Sequence, residues 1–225
     1  KGENVTLSIH SGIQHITRKL LLDQITRFEA DGGAGIVMDA KNGQIYSTVS
    51  LPDYNANNYS TVLNKTLFNK ATKGIYELGS TLKLITAAIA FESKLINENE
   101  VFDVSKPLKV SSRIITDFHP LNYSINIPEV IVHSSNIGSA KIAEKFGPST
   151  QLKFLKALGL TNILPLEIPE LGKPQVIMDK KVLTTMTISY GHGISITPMH
   201  LTSATATIVN SGVKVDPTLI KGKAK

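Results

Sequence analysis

Cysteine is absent from all 225 residues, so neither a disulfide nor a thiolate metal site can form. That absence fits an exported protein without establishing one. Tryptophan is absent too, and aromatic residues make up 6% of the chain, which leaves little stacking surface for single-stranded nucleic acid. The formal net charge of +6 favours an anionic partner. The lysines are scattered, however, apart from the tail at 221–225, and no basic stripe is interleaved with aromatics. Nucleic-acid binding is therefore not expected. No apolar run approaches membrane-spanning length and the opening KGENVTLSIH has no signal-peptide pattern, so a soluble chain is expected. The histidines (10, 15, 119, 133, 192 and 200) show no zinc-ligand spacing and no His-Glu-x-x-His. Most are expected at the surface or in loops, and no metal or other cofactor is expected.

What the chain does contain is an ordinary globular mixture, 41% hydrophobic and 19% charged. Val5 to Ile9 alternates and predicts a short strand. Ser11 and Gln14 have capping-box spacing, opening a helix to about Phe28 with Leu21, Ile25 and Phe28 as its buried stripe. Residues 34–40 and 44–50 flank Lys41-Asn42-Gly43, a hairpin signal. Ile36, Val37 and Met38 make the first of these strands apolar enough to be central in a sheet. An exposed asparagine-rich loop is expected over 52–65 and irregular chain over 97–124. Further helices are expected at 128–133, up to Phe146, from Ser149 or Thr150 to Leu158, at 181–190 and from Pro198 to about Asn210. Residues 160–178 read as loop, and Met186 and Met199 as core. The expected fold class is α+β, with helices packed on a mostly antiparallel sheet. Two clear strands are too few for so many helices.

The stretch YELGSTLKLITAAIA, 76–90, is the strongest candidate for function. Leu82, Ile85 and Ile89 recur at helical spacing, and Ser80 and Lys83, three apart, emerge on one face. A serine hydroxyl needs a base to become a nucleophile, and a lysine serves if burial lowers its pKa. Ser80 also stands at the positive end of the predicted helix. Alone, Ser-x-x-Lys is more often a cap and a solvated lysine. A second triplet, Ser134-Ser135-Asn136, opens a later helix. It reads either as an N-cap or as a proton relay at Ser134 with a substrate-orienting amide at Asn136. Asp39 and Asp117 are not paired by spacing with anything, and Gly191 and Gly193 read as a backbone turn.

Taken together, these motifs resemble the transpeptidase domain of class B penicillin-binding proteins, most closely the cell-division type. GAGIVMDAKNGQIYSTVSLPDYNANN is similar to the family's first hairpin and the loop after it. NKATKGIYELGSTLK resembles its nucleophile segment, with Leu78 where proline is usual. DFHPLN and VIVHSSNIGSAKIA resemble the second motif and its approach. TTMTISYGHGISITPMHLTSATATIVNSG resembles the late helical region, with His192 where tyrosine is common. The resemblance implies acyl transfer on peptidoglycan stem peptides during cell division, on the periplasmic side of the bacterial inner membrane. Ser80 would be the nucleophile, Lys83 the general base, Ser134 the relay and Asn136 a substrate-binding donor. β-Lactams would acylate the same serine, and cell-division membrane proteins would be partners.

The family's third motif, Lys-Thr/Ser-Gly, does not occur in the sequence. The expectation is a single transpeptidase domain over 1–225, incomplete at its C-terminus and without its membrane anchor. It would comprise an opening strand and helix (1–33), a hairpin (34–50) and a mostly helical active-site region (76–225). Such a chain would be inactive or badly impaired, and an exposed sheet edge would favour a homodimer. Two other readings stay open: a class D β-lactamase or β-lactam sensor domain, and a non-enzymatic interaction module on a degenerate transpeptidase fold.

Overall fold

The computed structural model describes residues 2–61, 66–97 and 99–222. The chain forms two compact units, each assembled from separated segments. The first comprises Lys1–Tyr76, Leu158–Pro174 and Ile196–Lys225, and the second Glu77–Ala157 and Gln175–Ser195. No helix among the described residues is long and apolar enough to cross a membrane.

In the first unit, helix α1 (Ser11–Arg27) lies on the hairpin of β1 (Gly33–Met38) and β2 (Ile45–Leu51). The expected capping box is not formed. His10 is the N-cap, its ring nitrogen accepting from the Ile13 N–H at 3.3 Å. Gln14 is engaged elsewhere, its amide donating to the Thr48 carbonyl at 2.8 Å and accepting from the Thr48 N–H at 2.9 Å. It thus satisfies β2 as a neighbouring strand would. Leu21 and Ile25 are half-buried, but Phe28 falls just past the helix end and is 70% exposed.

The hairpin has the expected turn and antiparallel register, with an irregularity at Val37/Met38. β1 is not central: among the described residues it pairs with β2 alone. Its apolar run has another cause, because helices contact it from α1 and from α6 (Pro198–Val209). A strand with both faces covered needs apolar residues on both. The expected strand at 5–9 reduces to one bridge, Leu7 to Ile220, flanked by bonds from Ser8 N–H to Leu219 O and from Lys221 N–H to Thr6 O. Its inward residue is Ser8, whose hydroxyl donates to Ile45 O at 2.8 Å, while Val5 and Leu7 face solvent. The asparagine-rich stretch is exposed from Asp53 to Asn58, and 62–65 lie outside the described residues.

Ile45, Leu164, Leu166 and Met199 form one buried cluster of this unit's core, with Ile36 and Met38 against it. Thr197 caps α6 by accepting from the His200 N–H. His200 itself is buried, contrary to the expectation of surface histidines. Its ring meets Thr197 Oγ1 and Asn162 O at 2.7 and 2.8 Å, and burial pushes its pKa down.

The second unit is largely helical. Helix α2 (Leu82–Ser93) follows a 3-10 turn at Gly79–Thr81 and buries Leu82, Ile85 and Ile89, the stripe expected from the sequence. The stretch expected to be irregular, 97–124, contains three three-residue strands and the start of a fourth. β3 (Val101–Asp103) pairs with β6 (Ser124–Asn126), and β4 (Leu108–Val110) with β5 (Arg113–Ile115). Three residues are too short to display an alternation. Helix α3 (Ile127–Val132) is entered through a capping box of Asn126 and Glu129. Helix α4 (Asn136–Ala157) is broken where expected, at Gly147 (φ 72°, ψ 172°) before Pro148. Helix α5 (Val182–Ser189) packs on α2 and α4 and buries Met186. The expected loop at 160–178 includes β7 (Gln175–Val176), paired with β8 (Ile194–Ser195). The fold is α+β, and among the described residues all four strand pairs are antiparallel, as separate two-stranded sheets.

Candidate active site

Ser80 lies in the 3-10 turn that leads into α2, exposed, after Gly79 with φ at +56°. Its neighbour on the next turn, Lys83, is only 3% exposed. The Lys83 amine donates to Ser80 Oγ at 2.9 Å, to Ser134 Oγ at 2.9 Å and to the Ser134 carbonyl at 2.6 Å. Ser134 Oγ donates in turn to Ser80 Oγ at 3.0 Å. Lysine and both hydroxyls thus close a triangle.

The three acceptors match the three N–H bonds of an ammonium. Burial nevertheless works against the charge and lowers the Lys83 pKa to about 8, with Asp117 opposing that shift. When the proton leaves, the carbonyl still requires an N–H. The lone pair must then face one of the two hydroxyls, and either can pass its proton to it.

Ser134 is held in an unusual backbone state, with φ at +53°. It terminates α3: its N–H reaches Ile131 O and the next N–H reaches Val130 O. This left-handed residue turns both its carbonyl and its hydroxyl onto Lys83. Asn136 begins α4, and its side-chain amide donates to Thr116 O at 3.0 Å. Of the four residues singled out from the sequence, Ser80, Lys83 and Ser134 form one hydrogen-bonded group, and Asn136 is fixed two residues from it in the chain.

Two further residues belong to the site: Asp117, set aside in the sequence because no spacing pairs it, and Glu77, which the sequence did not single out. Asp117 is buried, and it accepts from Ser135 Oγ at 2.7 Å, Asn136 N–H at 2.5 Å and Ile137 N–H at 3.0 Å. Glu77 meets His192 Nδ1 at 3.0 Å and accepts from the Gly193 N–H at 2.7 Å, and these partners lower its pKa. Nothing in sequence spacing links Asp117 to 135–137 or Glu77 to 192–193, so their only signal was their place inside the motif segments. The turn that Glu77 grips backs the serine. Gly191, at φ +96°, lies so close to Gly79 that a Cβ would stand 2.1 Å from its carbonyl oxygen. Among the described residues, no group of three or more His, Asp or Glu is placed to hold a metal ion.

Residues 33–225 match the family model for the penicillin binding protein transpeptidase domain. The chain belongs to that family. It is 32% identical over 212 residues to the probable peptidoglycan D,D-transpeptidase FtsI of Caulobacter vibrioides, covering 94% of this chain and 36% of that protein. It is 26% identical over 228 residues to FtsI of Escherichia coli K12, covering 96% of this chain and 38% of that one. The chain therefore spans little more than a third of the length of these relatives. Among solved structures, a peptidoglycan glycosyltransferase from Burkholderia ambifaria superposes with a TM-score of 0.87 at 25% identity, covering 97% of this chain and 66% of that one. The transpeptidase domain of penicillin-binding protein 3 from Burkholderia pseudomallei gives 0.85 at 25% identity, covering 99% and 63%.

Proposed function

We propose that this chain carries the serine acyl-transfer centre of a peptidoglycan D,D-transpeptidase of cell division, and that 1–225 belong to a single transpeptidase domain. The observation that supports this most is the triangle of Ser80, Lys83 and Ser134, with a buried amine whose pKa lies near 8. In this reading the neutral Lys83 amine takes the Ser80 proton as Oγ attacks the penultimate D-alanine carbonyl of a stem peptide. The Ser80 N–H, at the start of the helical segment, donates to the developing oxyanion; a single such donor is worth about 3–4 kcal/mol. Ser134 carries the proton from Lys83 to the departing D-alanine nitrogen. An amine from a second stem peptide then attacks the acyl-enzyme, restoring Ser80 and forming the cross-link. One amide N–H of Asn136 is held by Thr116 O, and the other is left to orient a substrate carbonyl.

In keeping with the resemblance to the cell-division type, we propose that it acts on the periplasmic side of the inner membrane, beside other division proteins. The outer edge of β1, unpaired among the described residues, supports self-association through that edge; a monomeric mass in solution contradicts it. Labelling with a fluorescent penicillin, followed by intact mass, tests the assignment. A one-to-one adduct that Ser80→Ala abolishes is expected, because nucleophile, base and relay are assembled even though Lys-Thr/Ser-Gly does not occur in 1–225. Labelling of Ser80→Ala at the wild-type level would overturn it.

A further inference from the structure

The carboxylate of Asp117 sits behind the Ser134 turn rather than in it. Oδ1 accepts the N–H groups of Asn136 and Ile137, the first two residues of α4, while Oδ2 accepts the Ser135 hydroxyl. The Ser135 oxygen itself accepts from the Gly138 N–H at 2.9 Å. A buried carboxylate therefore satisfies two of the free donors at the start of α4 directly, and a third through a hydroxyl. Gly138 lets α3 approach here, since a Cβ would stand 2.4 Å from Val130 Cγ2. Ser134 lies between this clamp and the C-terminus of α3, in a left-handed conformation that residues with a side chain adopt uncommonly.

We propose that Asp117 is the positioning residue of the acyl-transfer centre: it clamps the start of α4, holds the strained Ser134 turn, and so keeps the Ser134 carbonyl and hydroxyl on Lys83. The assignment rests on the proposed function for its consequence in catalysis, but the clamp itself does not. Asp117 also stabilises the protonated form of Lys83, against the effect of burial. Other ionisable groups on the elements around Lys83 are committed or remote in role. Helix α5 carries none. Glu129 on α3 accepts from the Asn126 N–H. On α4, Lys141 donates to Asp103 O and Lys145 pairs with Glu100, while Glu144 is exposed. His133, next to Ser134, is exposed and edge-on to Tyr123.

Two readouts separate this role from a merely structural one. The first is the titration of Lys83, followed by NMR in protein labelled with [13Cε]lysine and assigned by Lys83→Arg. Asp117→Asn keeps the shape and removes the charge, so the Lys83 midpoint moves to lower pH; an unmoved midpoint overturns the proposal. This readout needs no acylation, so it stands even if Ser80 proves unreactive. The second is the penicillin acylation rate at a pH above the Lys83 midpoint. Asp117→Ala releases the turn and lowers the rate about 10²-fold, the usual scale for displaced reacting groups. Asp117→Glu restores part of that loss. A wild-type rate in Asp117→Ala, or a fall in thermal stability without a fall in rate, overturns the positioning role. If Asp117→Ala does not fold, Asp117→Glu replaces it in the rate measurement, where the displaced carboxylate is expected to lower the rate and a wild-type rate overturns the positioning role.

Discussion

Ser134 combines two demands in one residue. Its hydroxyl and carbonyl both meet Lys83, and that requires φ at +53°, where a side chain costs about 1–2 kcal/mol. Ser134→Gly is therefore expected to gain roughly 1 kcal/mol in denaturant unfolding while acylation falls. Ser134→Ala should lose acylation too, without the gain, because Cβ remains. Equal stability of the two variants would show that the backbone is not strained there. At this scale the sequence was most informative where neighbours in the chain are neighbours in space. Ser80 and Lys83 are one turn apart, so their meeting could be read from spacing. Asp117 reaches forward 18 to 20 residues to its partners, and no periodicity records such a bond.

Elements show the same division. Helices long enough to repeat an apolar stripe, such as α2, stand where the sequence puts them. Strands of three residues do not, and β3 to β6 were legible only as an irregular stretch. The opening of α1 was misread because Gln14 has two possible uses, and tertiary pairing with Thr48 prevails over a local cap. Gln14→Leu is expected to leave the Thr48 N–H and carbonyl without those partners and to cost about 1–3 kcal/mol in thermal or urea unfolding. A loss near zero would mean that the helix does not brace the hairpin. Around the serine, the turn at 191–193 is the element to disturb. Gly191→Ala forces a Cβ into the Gly79 carbonyl and displaces Ser80, and the acylation rate should fall about 10²-fold. An unchanged rate would show that the nucleophile turn does not depend on this backing.

On the scale of the whole molecule, both compact units are built from segments far apart in sequence. The family was legible because its motifs fall in order along the chain. The composition of each unit was not, since it depends on long-range returns such as that of 218–221 to Thr6, Ser8 and Ile45. Glu167 fixes that return by accepting from Thr218 Oγ1 and the Leu219 N–H. Glu167→Ala should speed hydrogen exchange at 6–10 and 218–221 together.

The central claim is that a neutral Lys83 activates Ser80. The most direct measurement is the rate of benzylpenicillin acylation against pH, with the attachment site read by mass spectrometry. Lowering the pH protonates Lys83 and removes its lone pair. The rate should therefore rise with pH and level off, with a midpoint near the Lys83 pKa of about 8. Well below that midpoint it should fall roughly ten-fold per pH unit. A flat profile across the same range, or label carried on a residue other than Ser80, would contradict the account.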